Sequence, residues 1–567
     1  AKNRFIGSTR IKWDILDWLF VQGKVGQDHF SYKMDNKIPE GTGFAKPGRI
    51  SQLNTSFTER NWELVVGVNK DLGKDFTLNV IAGGNIMTQH YDYNNVVGEG
   101  VVIPGLAVIN NTSTKTVSIS ESNKRINSLF ATAELGYKGF LYLNATGRND
   151  WFSTLNPNNN SYLYPSVSGS FVFSELFHMP EFIDFGKFRV GYASVGGDTD
   201  PYQLDLTYEL LGFNYNGYPL GNISQPTVPN RLLRPLSVSE FEVGFDVRFF
   251  KNRLGIDMAF YDKLTKNDIT QETLTATSGY NGASVNVGKL RNRGAELLIY
   301  GTPVQTSAFS WDISLNGSYN KSKVLKISNQ ASELNLGSRG KASVRLIEGE
   351  EYAQIVGPAI ERNEQGQDII SNDGLNIVNR GNVVSFGSGI HKWNMGITNT
   401  INYKSFALSF LVDGKFGAKL YSVSSYELDH RGMTVKSLLG RADGAILPGV
   451  KQSDGKPNDI MVTPSMAGNR LIVINRREAL NDYLYNASFI KLRSIALTYN
   501  FSKGVLNSVR FIKGASISLV GNNLALLMTH AKQIDPDGNW STGNAQGIEA
   551  SNLPPIKSYG VDIKLKF

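Results

Sequence analysis

The stretch from Ser239 to Asn320 decides the fold. It contains four segments: EFEVGFDVRFF (240–250), RLGIDMAFYD (253–262), VNVGKLRNRGAELLIYG (285–301) and FSWDISLNGSYN (309–320). In the first segment the apolar side chains occupy every second position: Val243, Phe245, Val247 and Phe249. A helix would distribute these residues around its circumference, whereas a strand places them on one face. The pattern therefore predicts β-strands of about ten residues or more that are joined by short turns.

An antiparallel sheet with one apolar face must cover that face with a second layer or with lipid. The chain has 567 residues, whereas a single soluble domain rarely exceeds about 250 to 300 residues. This size limit does not hold for a barrel, because its apolar face contacts lipid and needs no common core. Its longest apolar runs, such as FALSFLV from Phe406, are shorter than the roughly 18 to 20 residues of a spanning helix. A membrane protein of this sequence must therefore be a transmembrane antiparallel β-barrel.

The composition fits such a barrel and argues against several other classes. The chain has 24 Tyr, 30 Phe and 57 Gly, as expected for aromatic girdles and many turns. It has no Cys, which excludes disulfides and thiolate chemistry. The net charge of +8 is spread along the chain rather than clustered, so we expect no nucleic-acid partner.

Period-two runs predict about seventeen strands in this chain. They lie near residues 3–13, 18–31, 59–71, 75–90, 124–136, 139–149, 165–176, 186–197, 238–250, 253–267, 284–301, 308–323, 391–403, 405–421, 487–501, 509–525 and 557–567. Every second connection is short, and those between them are long. The main long loops are expected at about 32–58, 91–123, 198–237, 324–390, 422–486 and 526–556.

This sorting of the connections predicts the orientation of the sheet. Outer-membrane barrels have short periplasmic turns and longer extracellular loops, so one rim of the sheet is predicted to be periplasmic and the other external. If the last strand descends to the periplasm at Phe567, the first strand also descends, and Ala1 begins at the external rim. Because bacterial single-chain barrels have an even number of strands, we expect further strands before Ala1.

Several stretches resemble the SusC/RagA family of TonB-dependent outer-membrane transporters. They are GRNDWFSTLNPNNNSYLYPSVSGSFVFSE from Gly147, FRVGYASVGGDTDPYQL from Phe188, LRPLSVSEFEVGFDVRFFKNRLGIDMAFYDKLTKNDI from Leu233, NVGKLRNRGAELLIYGTPV from Asn286, FIKLRSIALTYNFS from Phe489, LVGNNLALL from Leu519 and the ending GIEASNLPPIKSYGVDIKLKF. Each is a weak strand-and-turn pattern alone, but their order is specific. The resemblance covers residues 1–567 as the C-terminal portion of a barrel.

The resemblance implies a 22-stranded barrel filled by an N-terminal plug that lies outside this chain. It implies active import of a nutrient oligomer, an oligosaccharide or an oligopeptide, across the outer membrane of a Gram-negative, Bacteroidota-like bacterium. The implied partners are a SusD-like surface lipoprotein that acts as a lid, the TonB-ExbB-ExbD complex acting through the plug and a TonB box, and outer-membrane lipid. The resemblance leaves open whether two pairs of transporter and lid form a dimer.

Catalytic chemistry has little support in the residues. The six His residues are far apart, and the HExxH, GxSxG and GxxxxGK[ST] motifs are absent. We therefore expect no enzymatic activity, no catalytic residue, no metal site and no cofactor. Acidic pairs such as Asp198 with Asp200 and Asp535 with Asp537 lie beside Gly or Pro and are predicted to form turns.

Aromatic residues in the long loops are the candidate ligand-binding residues, because aromatic rings stack on sugars or peptide side chains. They are Trp151, Tyr202, Tyr215, Tyr218, Tyr280 and Trp540. Loop packing is the alternative role for these rings. Phe567 ends an alternating strand and resembles the terminal aromatic residue that directs barrel assembly, a role compatible with a place in the aromatic girdle.

Two other functions remain open from the residues. One is a passive porin or structural outer-membrane barrel without a plug, which the N-terminal part of the polypeptide would distinguish. The other is a soluble β-rich adhesin or carbohydrate-binding protein, which would bury the apolar faces of its strands and would not sort its loops between two rims.

Overall fold

The computed structural model describes residues 2–223, 227–328, 331–464, 471–506, 511–532 and 534–567. Each of the seventeen predicted strands has a counterpart in these residues, so the predicted order of strands is confirmed. The strands are β1 Lys2–Leu16, β2 Leu19–Ile38, β3 Arg49–Leu72, β4 Phe76–Val101, β5 Thr112–Tyr137, β6 Leu141–Phe152, β7 Ser161–Phe171, β8 Ile183–Gly197, β9 Leu236–Phe249, β10 Leu254–Thr273, β11 Gly282–Gln305, β12 Phe309–Lys326, β13 Trp393–Tyr403, β14 Phe406–Phe416, β15 Phe489–Asn500, β16 Gly514–Thr529 and β17 Ser558–Lys566.

The remaining elements lie between these strands, and all but the 11-residue strand Val378–Ser388 are short. Short strands occur at Glu209–Tyr215, Tyr218–Asn222, Thr227–Val228, Glu333–Arg339, Ala342–Ile347, Gln354–Ile360, Ile369–Ile370, Val378–Ser388, Lys419–Ser422, Ala445–Ile446, Val450–Lys451, Met461–Val462, Leu484–Asn486 and Ile548–Glu549. Helical turns occur at Ile109–Asn111, Pro157–Asn159, Phe173–Leu176, Ala276–Ser278, Val423–His430, Val435–Leu438, Leu471–Arg476, Asn481–Tyr483 and Lys503–Leu506. Among the described residues, no helix has the length and apolar character needed to cross a bilayer.

The residues group into two compact units. The first comprises Ala1–Leu176, Arg189–Phe241 and Thr265–Val287, and the second comprises Phe177–Phe188, Glu242–Leu264 and Gly288–Phe567. In the first unit β1 to β7 form an antiparallel meander in which each strand pairs with the next. In the second unit β11 to β17 do the same, starting from Lys289. Both units are therefore built from consecutive hairpins, as the short connections predicted.

The tight turns use residues that tolerate a positive φ. Between β5 and β6, Lys138 and Gly139 have φ values of 47° and 72°, and the Phe140 amide donates to the Tyr137 carbonyl at 3.1 Å. Two consecutive positive φ values define the type I′ turn, whose twist matches that of the two flanking strands. This geometry explains why the connection needs only the three residues 138–140.

Two of the predicted loops are mostly strand. The segment 32–58 is a hairpin whose strands reach Ile38 and resume at Arg49, and the segment 91–123 reaches Val101 and resumes at Thr112. The predicted bounds are wrong here because alternation shows a strand only where one face is apolar. These hairpin ends carry polar side chains on both faces, so they look like loops in the sequence.

Alternate residues of the long strands form an apolar face that is open to its surroundings. In the first unit Leu64, Leu129 and Leu163 are 59%, 60% and 65% exposed. Four further side chains from apolar positions of the alternating pattern test whether the strands face a dry interior. Val243 and Ile313 are half-buried, while Met395 and Val561 are exposed. A soluble adhesin would bury these side chains, so this face favours contact with lipid.

Leu519 lies on this apolar face and pairs with Leu497 and Val561 on the neighbouring strands. We expect Leu519→Arg to lower the free energy of unfolding in a bilayer by about 2–4 kcal/mol, because the charge would enter the hydrocarbon region. Denaturant titration of the folded fraction on a gel measures the change. Leu232→Arg, at a loop side chain that is 80% exposed, is the control and should change little. Equal stability of both variants would contradict the assignment of this face to lipid.

The predicted long loops of the second unit fold around cores of their own. One core contains five fully buried residues: Val344, Ile355, Tyr421, Leu480 and Ile548. A second core contains Ile370, Leu375, Leu447, Val462 and Ile472. Segments from 324–390, 422–486 and 526–556 meet in the first core, so these loops form one folded body within the unit.

Candidate functional site

The structure places the six predicted ligand-binding aromatic residues in different surroundings. Trp151 lies in β6, on the apolar face, opposite Asn127 and Ser161. The prediction that it lies in a loop was wrong, because β6 continues to Phe152. Tyr202 lies in a loop, is 57% exposed, and its hydroxyl accepts from the Asn123 amide at 3.2 Å.

The other four candidate aromatic residues do lie in the segments between long strands. Tyr215 and Tyr218 flank the Asn216-Gly217 turn of a small hairpin and are 68% and 75% exposed. Tyr280 is half-buried, and Trp540 of the second unit donates its amide to the Ile548 carbonyl at 2.6 Å. Among the described residues, no ring contact joins two of the six candidates, so their role in ligand binding stays a prediction.

Phe567 stacks on Phe511, with ring centroids 6.1 Å apart and an interplanar angle of 7°. The side chain is 67% exposed, which agrees with a girdle position at the end of β17. Its proposed role in barrel assembly stays a prediction.

A cluster of charged residues in the second unit forms the strongest candidate site. Lys491 and Arg493 lie on β15, and Asp413 lies on the neighbouring β14. Asp535 and Asp537 lie in the segment between β16 and β17. The Lys491 Nζ is 2.7 Å from Asp535 Oδ1, and Arg493 donates to both carboxylate oxygens of Asp413, at 2.9 and 2.6 Å. The fork geometry of this arginine fixes its orientation.

A β-bulge directs Arg493 toward this cluster. The pairing of β15 skips Arg493 on both of its edges. On the facing strand β16 it skips Leu524 and Asn523, and Asn523 has a φ of 53°. An extra residue in a strand breaks the alternation of faces and re-aims its side chain. Arg493 therefore reaches Asn523 Oδ1 at 3.4 Å as well as Asp413.

The Asp535-Pro536-Asp537 turn brings two carboxylates onto the strands. The Asp537 amide donates to Asp535 Oδ1 at 2.8 Å, so the predicted turn is confirmed. Asp537 also accepts from Lys415 at 2.9 Å and from Arg493 at 3.3 Å. The sequence indicated the turn but missed its ion pairs. The sequence did carry one signal for this cluster. Lys491 and Arg493 lie in the family-like motif FIKLRSIALTYNFS, and Asn523 lies in the motif LVGNNLALL.

Glu549 forms a third carboxylate position and is 4% exposed. It accepts hydrogen bonds from the hydroxyls of Ser422 and Ser424, at 2.7 and 2.6 Å, and from the Asn552 amide at 3.3 Å. Ser422 is also the N-cap of the helix Val423–His430, because its hydroxyl accepts from the Ser425 amide. Glu549 therefore joins the C-terminal segment to the loop core.

Lys491, Arg493 and the carboxylates of the C-terminal segment line a cavity of about 760 Å³. Its four basic residues are Lys491, Arg493, Lys532 and Lys557, and its three acidic residues are Asp535, Asp537 and Glu549. Among the described residues, Lys532 and Lys557 have no carboxylate within ion-pair distance. The cavity can therefore bind a ligand that carries charged or polar groups, and it offers two ammonium groups for an anionic one.

Burial would raise the pKa of Asp537, but the hydrogen bond from Lys415 and the charges of Lys415, Lys491 and Arg493 outweigh it and hold the pKa below its ordinary value of 3.8. A carboxyl with a lowered pKa stabilises the folded state above its ordinary value and loses that contribution as the pH falls through the folded pKa. As the pH is lowered below about 4, we expect the melting temperature of the native protein to decrease. Asp537→Asn should flatten this acid limb, and an unchanged limb would contradict the role of Asp537.

The model of the family described as TonB dependent receptor-like, beta-barrel matches residues 3–428. The chain belongs to this family. Its fold class is therefore the all-β barrel fold of TonB-dependent receptors, and the resemblance to SusC/RagA proteins is confirmed. Membership in this family implies the outer membrane of Gram-negative bacteria.

Curated relatives of this barrel chain are similar over most of it. TonB-dependent receptor P26 of Formosa agariphila is 24% identical over 100% of this chain and 59% of its own length. TonB-dependent receptor SusC of Bacteroides thetaiotaomicron is 23% identical over 67% of this chain and 37% of its own length. The barrel chain thus spans between about a third and three fifths of these relatives.

Solved structures share the fold of this barrel chain. The structure of the RagAB peptide transporter matches with a TM-score of 0.76 at 17% identity, over 100% of this chain and 62% of that chain. The copper transporter OprC matches with a TM-score of 0.50 at 12% identity, over 99% of this chain and 64% of that chain. At these identities the matches concern the fold alone.

Proposed function

We propose that residues 1–567 are the C-terminal portion of the barrel of a SusC-like TonB-dependent importer in the outer membrane of a Bacteroidota-like bacterium. The substrate is a nutrient oligomer, and no covalent bond is made or broken. The curated relatives are TonB-dependent receptors, which supports a transporter rather than an enzyme. A plug and a TonB box elsewhere in the polypeptide couple the barrel to TonB-ExbB-ExbD.

The observation that carries this proposal is the charged cavity between β15, β16 and the segment before β17. A structural ion-pair network would leave its cations paired, whereas Lys532 and Lys557 face this cavity without a carboxylate partner among the described residues. Unpaired cations beside a cavity supply affinity for an anionic group of a passing substrate.

The lining of the cavity favours an oligopeptide over a neutral oligosaccharide. A peptide carries a terminal carboxylate for the two free lysines and apolar side chains for Leu526, Ile534 and Leu553, which also line the cavity. The fold match to the RagAB peptide transporter supports this choice. A neutral sugar would form no charge-assisted hydrogen bond with a negative group at either ammonium.

The loop body of the second unit offers a surface for the SusD-like lipoprotein lid. Met433, Val435 and Leu438 are 72%, 85% and 55% exposed within one short segment that follows the helix Val423–His430. Several large apolar side chains exposed together are typical of a protein interaction surface. We propose that this segment contacts the lid.

Isothermal titration of the full-length receptor tests the substrate class. We expect a mixture of short peptides to bind, and Lys532→Gln with Lys557→Gln to weaken that binding about ten-fold or more, because charge-assisted hydrogen bonds are lost. Lys456→Gln, at an exposed loop lysine, is the control and should change nothing.

Peptides with an amidated C-terminus provide the matching ligand control. They should bind about as weakly to the native receptor as free-acid peptides bind to the double variant. Binding of neutral oligosaccharides with no binding of peptides would overturn the substrate class. Unchanged nutrient uptake in cells that lack the receptor would overturn the transport function.

A further inference from the structure

A groove of about 920 Å³ lies on the apolar face of the first unit. Its floor is formed where glycines stand between larger residues in one cross-strand row: Ile11 pairs with Gly23, Gly23 with Leu64, Leu64 with Gly84, and Gly84 with Leu129. A Cβ atom at Gly23 would meet no atom within 4 Å, so the groove is open there.

Two tryptophans stand at one end of this groove. Trp62 pairs with Ile86, Ile86 with Asn127, and Asn127 with Trp151, so both indoles lie in the row next to the glycines. On β5 the apolar face continues from Asn127 to Tyr137, which spans about 33 Å along the strand. At the usual strand tilt this is about 25 Å of membrane thickness, which matches the apolar band of a barrel. The tryptophan row therefore lies at a membrane boundary.

The next row beyond the tryptophans is cationic. Arg60 pairs with Thr88, and Thr88 pairs with Arg125, so two guanidinium groups flank one threonine on the same face. Their Nε atoms donate to the neutral side chains of Gln27 and Asn127, at 3.0 and 2.9 Å. Neither arginine forms an ion pair with a carboxylate in the described part of the chain.

The spacing of these arginines suits one phosphate group. One strand, β4, lies between them, so their Cα atoms are two strand spacings or about 10 Å apart, and long side chains can converge from that distance. Each guanidinium has further N–H donors beyond the one already used. The carboxylates two rows beyond, Asp92 and Glu121, are within ion-pair distance of His90 instead.

We propose that this groove binds one phosphate-bearing membrane lipid. An acyl chain lies over Gly23 and Gly84 against Trp62, Leu64 and Leu129, and the phosphate accepts hydrogen bonds from Arg60 and Arg125. Apolar volume and cationic charge occur in adjacent rows at the membrane boundary, which is the arrangement of an acyl phosphate lipid. This inference rests on the outer-membrane placement in the proposed function.

Quenching of tryptophan fluorescence tests the groove. Full-length receptor in detergent is titrated with phosphatidic acid and with diacylglycerol that carry the same brominated acyl chains and differ only in the phosphate. We expect phosphatidic acid to bind more tightly, and Arg60→Gln with Arg125→Gln to weaken it roughly 30-fold, to the level of diacylglycerol. Equal binding of the two lipids to native receptor would overturn the phosphate contact.

Glycine variants test the acyl-chain contact. Gly23→Leu fills the open floor and should abolish quenching by both lipids. Gly317→Leu is the matched control, because Gly317 lies on the apolar face of the second unit and its Cβ would also meet nothing within 4 Å. Unchanged quenching in Gly23→Leu with normal heat stability would overturn the groove, as would full displacement of the lipid by inorganic phosphate.

Peptide uptake by the same variants separates this inference from the proposed function. Lipid binding can fail while uptake persists, and uptake can fail while phosphatidic acid still binds. The two proposals therefore have different readouts.

Discussion

Lys491→Ala is expected to lower the free energy of unfolding by about 3–5 kcal/mol, because removal of one partner leaves a charge in the cavity without its counter-ion. The Lys491 and Asp535 side chains are 7% and 17% exposed, so water screens their attraction only weakly. Asp537 would keep Lys415 and Arg493, whereas Asp535 would lose the partner at 2.7 Å. Denaturant unfolding of the receptor in detergent measures this loss.

Two further variants separate the ion pair from general damage at Lys491. Lys456→Ala removes an exposed loop lysine and should change stability by less than about 0.5 kcal/mol. Lys491→Ala combined with Asp535→Ala should recover part of the loss, because no unpaired carboxylate remains. A loss below about 1 kcal/mol in the single variant would mean that the pair behaves as a solvated one.

Leu480→Ala is expected to destabilise the loop body of the second unit by about 2–5 kcal/mol, the usual cost of a cavity at a buried leucine. Leu480 is 0% exposed and packs over Gly357, where a Cβ would lie 2.5 Å from Leu480 Cδ1. We expect faster proteolysis within residues 324–390 and 422–486 while the β-strand content measured by circular dichroism stays unchanged.

The control for this variant is Leu553→Ala, at a side chain that is 93% exposed. It should digest like the native protein, since no buried contact is lost. An unchanged cleavage pattern in Leu480→Ala would mean that the loops do not share one core. Loss of strand content in the same variant would mean that the loop core also supports the sheet.

Alternation predicted the strands where one face is apolar and failed where both faces are polar. β13 was predicted at 391–403 and observed at Trp393–Tyr403, because its apolar residues are regularly spaced. The hairpin ends at Ile38 and Val101 have no such pattern, and they were predicted as loops. The same limit placed Trp151 in a loop, since the last residues of β6 do not alternate.

The candidate site could not be assembled from the sequence. Asp413 is far from Arg493 in the chain, and Lys491 is far from Asp535. Strand register brings the first pair within hydrogen-bond distance, and the turn before β17 does so for the second pair. The side of the sheet on which Arg493 lies depends on a bulge, and a one-residue insertion in the pairing cannot be read from alternation alone.

The sequence by itself determined the all-β class, the order of the strands and the face that a residue takes wherever a strand alternates regularly, because a period of two is a local property of the backbone. The tertiary structure alone decided which distant charges meet, how the long loops share a core, and where glycines open a groove between leucines. These features depend on register and packing, which arise only when strands pair across long separations in the chain.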